Sequence, residues 1–227
     1  MQTISKEINI MKNHKKIIIA VTGIAILVTG ILCKQEWFLM APLFISLFVM
    51  AFQSEANRIG VLIGAVNAVF YTGTYIYMGV YASAASGLLF SFPIQLMTFF
   101  RWKKNAYKST VQFRRMSTKA RILFFTGVAV LWASVAAVFY YLKYEYALLD
   151  SLTFLLGFIV PVLTWLAYIE YTYLWIVSAV VGLLLNVQMV INDYSQATYL
   201  VYGIYALYCV IGAYVNVQKF YKEQNEQ

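Results

Sequence analysis

The chain has 227 residues, 62% of them hydrophobic and only 11% charged, with a formal net charge of +8 and a positive mean hydropathy. This composition excludes an ordinary soluble domain. The length suffices for several bilayer crossings at about 20 apolar residues each.

Eight apolar runs predict membrane helices, at 17–33, 37–52, 59–78, 82–100, 122–142, 150–168, 173–191 and 197–217. The first is not read as a cleaved secretory signal, because ILCKQEWF lacks a small-residue cleavage site. β-Barrel strands would alternate in hydrophobicity over about ten residues, whereas ILFFTGVAVLWASVAAVF at 122–139 is apolar on every face. The expected fold is an all-α polytopic membrane protein.

Positive charges near span ends stay on the cytoplasmic side. With the N-terminus inside, Lys6, Lys12, Lys15, Lys16, Arg58, the basic loop 101–121, Lys219 and Lys222 are all expected in the cytoplasm, leaving Lys34 and Lys143 outside. Of the acids, Glu7, Glu55, Glu170, Glu223 and Glu226 fall inside, and Glu36, Glu145, Asp150 and Asp193 outside. Both termini are therefore expected in the cytoplasm of a cell inner membrane. The loop RWKKNAYKSTVQFRRMSTKAR carries eight positive residues and no acid. It reads as an anchor for anionic lipid headgroups and not as a nucleic-acid surface.

That loop divides the chain. Residues 1–36 form a cytoplasmic tail and an extra N-terminal helix, 37–100 a first three-helix repeat, 101–149 the basic loop and a linker helix, 150–217 a second three-helix repeat, and 218–227 a tail. A lone linker helix between two triplets lets the second repeat run parallel to the first, an arrangement that places a substrate between repeats near the midplane. The halves share a weak echo, FQSEANRIGVLIGAVNAVFY and AYIEYTYLWIVSAVVGLLLN, each with a Glu ahead of an apolar helix.

Amide side chains inside a bilayer must find hydrogen-bond partners, so Asn67, Gln95, Asn186 and Gln188 face protein or a wet cavity. Asn67, Tyr71 and Tyr75 recur every four residues along one helical stripe, and Trp175, Ala179, Gly182 and Asn186 form another. Together they suggest a chamber with aromatic walls, amide donors and acceptors, and room between. A heteroaromatic ring would stack on the aromatics and ribose hydroxyls would pair with the amides. Interhelical hydrogen bonding is the competing role for these amides.

The stretches at 56–102 and 147–177 resemble the Pnu-type vitamin transporters, whose best-known members carry nicotinamide riboside. Gly64, Asn67, Tyr81, Ala82, Ser83 and Trp102 match the first half of the family pattern. Asp150, Ser151, Thr153, Glu170 and Trp175 match the second. Thr172 stands where the first Trp of a paired-Trp motif belongs and Ala179 where a following Asn belongs, while Gln95 and Phe99 replace the Asn and Trp of some relatives. The resemblance spans residues 37–217 and implies a substrate site of Asn67, Tyr71, Gln95, Phe99, Thr172, Trp175, Ala179 and Asn186. It also implies a homotrimer and trapping of the imported substrate by a cytoplasmic kinase.

No enzyme is expected. His14 is the only His, Cys33 and Cys209 are the only cysteines and form no CxxC, so neither a metal site nor a cofactor is predicted. Asp150 and Glu170 are read as interface caps. With no Lys, Arg or His deep in a span and no phosphate loop, neither proton relay nor ATP drive is indicated, which leaves facilitated diffusion by alternating access. Pro42, Pro93 and Pro161 lie within spans as potential kinks. Nicotinamide riboside is the preferred substrate; thiamine, another vitamin or a nucleoside is the nearest alternative, and a non-transporting membrane scaffold the rival from another class.

Overall fold

The computed structural model describes the backbone of residues 2–144 and 146–226, with side chains from His14 onward. The expected sidedness of Lys6, Glu7, Lys12 and Glu145 falls outside the described side chains. The chain runs α1 (Gln2–Leu32), α2 (Trp37–Ser54), α3 (Arg58–Tyr77), α4 (Tyr81–Ser86), a π turn (Gly87–Ser91), α5 (Phe92–Lys104), a hairpin of β1 (Ala106–Tyr107) and β2 (Thr110–Val111), then α6 (Thr118–Tyr141), α7 (Ala147–Trp165), α8 (Tyr171–Asn192) and α9 (Ala197–Asn225). Eight helical segments among the described residues are long and apolar enough to cross a membrane, with α4, the π turn and α5 forming one of them.

Local chemistry sets several of these boundaries. Asn57 caps α3 by accepting from the Ile59 N–H at 2.9 Å, and Ser117 caps α6 by accepting from the Ala120 N–H at 3.3 Å. Ala56 and Ala167 stop α2 and α7 in the left-handed region, at φ +51° and +60°, so each chain reversal is completed within a few residues. Pro93 lacks an N–H and its ring crowds the carbonyl four residues earlier. The π turn immediately before it absorbs that conflict.

The three-one-three plan is realised. The triplets α2–α3–α4/α5 and α7–α8–α9 pack against each other along two seams, α9 on α2 and α4/α5 on α7. α1 packs on α2 and α9, whereas α6 touches α7 and buries only Ala136. Since lipid is as apolar as Leu, close packing and interhelical hydrogen bonds hold such seams together. Asn216 donates to the Ser54 carbonyl (2.7 Å) and Trp102 to the Thr164 carbonyl (3.0 Å) at the end bearing the basic loop. At the opposite end Thr198 donates to Gln35 and Ser83 to Asp150. Tyr199 and Tyr205 of α9 donate to the Leu39 and Leu47 carbonyls of α2, at 2.9 and 2.7 Å.

The echo between the halves does not survive in space. Glu55 lies at the end of α2 and pairs with Lys15 at 3.0 Å near the surface, while Glu170 precedes α8 and is fully buried. The interface-cap expectation for Glu170 and Asp150 is corrected with it. Glu170 accepts from the Met116 N–H at 3.1 Å and lies 3.4 Å from the Arg121 guanidinium. Asp150, also fully buried, accepts from Ser83 of the first triplet and from Tyr144 at 3.0 Å.

The basic loop is not a bare anchor. Its hairpin is fastened to the α7–α8 corner through Arg114, whose N–H donates to the Ala167 carbonyl (2.8 Å) and whose carbonyl accepts from the Ile169 N–H (2.9 Å). Gln224 of α9 accepts from the Phe113 N–H and donates to the Val111 carbonyl, both at 2.9 Å. Lys108 pairs with Glu223 at 2.7 Å.

Candidate functional site

Two adjoining cavities lie between the triplets. The one nearer the basic end has a volume of about 190 Å³ and is walled by Gln53 and Ala56 of α2, Gln95 and Trp102 of α5, Pro161 and Thr164 of α7, and Tyr171, Trp175 and Ser178 of α8. The second, about 240 Å³, is bounded by Ser46, Asn67, Tyr71 and Tyr75 on α2 and α3, Ser83 and Ser86 on α4, Thr153 and Gly157 on α7, and Tyr202 on α9. Gln53, Ser91, Gln95, Gly157 and Ser178 border both. The cavities therefore form one interrupted path along the contact between the triplets.

In the second cavity a polar chain is built on two helices. Asn67 donates to Ser46 Oγ at 2.6 Å and to the Pro42 carbonyl at 3.3 Å, and Ser46 donates to Tyr71 Oη at 3.0 Å. Asn67 Oδ1 is buried without a hydrogen-bond partner among the described residues. A buried acceptor left unpaired costs about 1–3 kcal/mol, and Asn67, 3% exposed, meets the cavity with little of its side chain. The Tyr71 ring lies 5.5 Å from Tyr75 and 6.5 Å from Tyr202, giving an aromatic lining to the same space. In the first cavity Trp175 stands 6.1 Å from the Tyr171 ring in a tilted arrangement.

The predicted residues divide into two groups. Asn67, Tyr71, Gln95 and Trp175 border the cavities, and so does Tyr75. Phe99, Thr172, Ala179 and Asn186 border neither. Thr172 is fully buried and turns its hydroxyl onto the Ile169 carbonyl at 2.7 Å, so Thr in place of an expected Trp leaves no gap in these walls. Ala179 packs into the apolar cluster around Leu43 and Val210. Asn186 donates to the Tyr199 carbonyl at 3.0 Å, an interhelical bond between α8 and α9. Phe99 lies against Phe100, with ring centroids 5.5 Å apart. The four-residue stripe from Trp175 fails because the cavity side of α8 follows Tyr171, Trp175 and Ser178, while Ala179 and Asn186 turn toward α9.

Gln53, Ser46, Ser91 and Ser178 were missed. Gln53 sits within the polar run that ends α2, where an amide reads as an interface residue. Ser91 is carried to the cavity wall by the π turn, and single-helix periodicity gives no signal for that. No Lys, Arg, His, Asp or Glu borders either cavity, and no group of three or more His, Cys, Asp or Glu able to hold a metal occurs among the described residues.

A family model described as nicotinamide mononucleotide transporter matches residues 36–218. The chain belongs to that family. Within the family fold, a solved structure described as the crystal structure of the vitamin B3 transporter PnuC superposes with a TM-score of 0.78 at 17% identity, covering 92% of each chain. Among curated proteins, no sequence matches this chain. The resemblance read from Gly64, Asn67, Trp102, Asp150 and Trp175 is thus confirmed at the level of family and fold: this is a multi-pass membrane protein of a transporter family.

Proposed function

We propose that this member of the family imports nicotinamide riboside, or a similar vitamin, by facilitated diffusion with alternating access, and that intracellular phosphorylation traps the product. The units that rock are taken as residues 37–100 and 150–217, with both termini in the cytoplasm of the inner membrane and three copies assembled as the family resemblance implies. The observation that carries the reading is a cavity lined by the amides of Gln53, Asn67 and Gln95, by serine hydroxyls and by aromatic rings, with no charged side chain among them. Ribose hydroxyls pair with such amides as donors and acceptors. A pyridinium ring gains about 0.5–2 kcal/mol against an aromatic face, and Trp175 and Tyr71 offer such faces.

The uncharged lining favours a riboside over a mononucleotide. A phosphate carries up to two negative charges at neutral pH, and desolvating them without a cationic partner is prohibitive. Neither cavity presents one. No charged side chain lines either cavity, Asp150 lying behind Ser83, which accords with uncoupled transport.

Uptake into proteoliposomes containing the purified chain tests the proposal. Saturable flux of nicotinamide riboside, indifferent to an imposed proton or sodium gradient and larger than any flux of the mononucleotide, is expected. Accumulation driven by either gradient would overturn facilitated diffusion. No saturable flux of any pyridine nucleoside, thiamine or common nucleoside would overturn the carrier reading and favour a scaffold.

A further inference from the structure

Gln53 and Gln95 meet where the two cavities adjoin. Gln53 Nε2 donates to Gln95 Oε1 at 3.4 Å and to the Gly60 carbonyl at 3.1 Å, while Gln95 Nε2 donates to Ser91 Oγ at 2.7 Å. The contact between the amides is the longest of these and lies at the weak end of the N–H···O range. Gly64 of α3 makes the meeting sterically possible. A Cβ at that position would fall 2.8 Å from Gln53 Nε2 and directly against Gln95 Oε1. Bonds to the Gly60 carbonyl and to the Ser91 hydroxyl thus hold a donor on one side of the passage and an acceptor on the other, facing each other across a contact that little energy holds closed.

We infer that Gln53 and Gln95 form an amide clamp, seated on Gly64, that reads a primary carboxamide on the carried molecule. This deepens the riboside reading above and rests on it. A carboxamide entering between the two side chains accepts from Gln53 Nε2 through its carbonyl and donates through its N–H to Gln95 Oε1, so one long bond is exchanged for two. A carboxylate of the same shape accepts from Gln53 but sets an oxygen against Gln95 Oε1, and its charge has no cation on either cavity wall. Sites that hydrogen-bond a substrate group reject an analogue unable to satisfy them far more strongly than apolar pockets reject a change of size. The clamp therefore selects amide over acid, independently of the ribose and ring contacts made elsewhere.

Equilibrium binding of nicotinamide riboside and nicotinic acid riboside to the full chain in detergent tests the inference. The native chain is expected to prefer the amide by about tenfold or more. Gln53→Leu removes the facing donor and should bring the two affinities within about threefold while both ligands still bind. Gly64→Ala, which displaces both amides without touching their chemistry, should erode the preference in the same direction and serves where Gln53→Leu does not fold. A tether from α2 to the Gly60 carbonyl alone would lower stability and leave the amide-to-acid ratio intact. An unchanged ratio in the folded variants overturns the clamp, as does equal affinity of the native chain for both compounds, which leaves the riboside reading standing. Binding of neither compound by the native chain overturns both.

Discussion

The two triplets share a backbone plan and differ in what they bring to the path. Each turns its first corner on an alanine at positive φ, Ala56 and Ala167. Each has its first helix held by the other triplet's third, through the Asn216–Ser54 and Trp102–Thr164 bonds at one end and the Thr198–Gln35 and Ser83–Asp150 bonds at the other. Counted from the alanine corners, Gly64 corresponds to Trp175 and Asn67 to Ser178, and all four border the cavities. The first triplet supplies the amides Gln53, Asn67 and Gln95, and the second supplies no amide but the rings of Tyr171, Trp175 and Tyr202. The repeated backbone determines where the path lies; the unequal side chains determine what it can hold.

Breaking the shared plan should cost more than altering the unequal lining. Asp150→Ala removes two hydrogen bonds to a buried carboxyl and should lower unfolding free energy by about 2–3 kcal/mol, read by thermal unfolding in detergent. Gln35→Leu, the counterpart on the other seam, should cost less. A smaller loss for Asp150→Ala than for Gln35→Leu would overturn this ranking of the two seams. Trp175→Ala should weaken riboside binding by about 2 kcal/mol, the scale of a desolvated aromatic contact to a charged ring, with unaltered helix content by circular dichroism. Unchanged affinity would remove Trp175 from the site.

Asn67→Leu should reduce affinity by about 1–2 kcal/mol for the riboside and by little for an analogue lacking the ribose hydroxyls. Equal losses for both would mean that Asn67 acts by holding Ser46 and Pro42 and not by meeting the ligand. The smallest effect is expected at the basic end, where Trp102→Phe keeps the packing and loses only the bond to Thr164, at about 1 kcal/mol of stability.

Spans, their number and the triplet plan were legible in the sequence because a helix that must satisfy its own backbone in lipid announces itself by length and hydropathy. The site was half legible. Asn67, Tyr71 and Tyr75 lie on an uninterrupted helix, so their four-residue spacing leads to one cavity wall. On α8 the same four-residue rule carried from Trp175 to Ala179 and Asn186, which the crossing with α9 claims instead. Asp150 and Glu170 looked like interface residues because sequence shows how near a carboxylate is to a helix end but not what packs over it. Ser91 depended on the π turn, and Gln53 on a glycine two turns along another helix.

Arg114, Gln224 and Glu170 give the basic end a one-sided stiffness. The α7–α8 corner is strapped by the hairpin and the hairpin by the last turn of α9, whereas the α2–α3 corner is held from outside by the surface pair Lys15–Glu55 and by the Asn216 bond. Beside Ala56 and Gln53, fewer main-chain bonds tie the corner to its neighbours than beside Ala167.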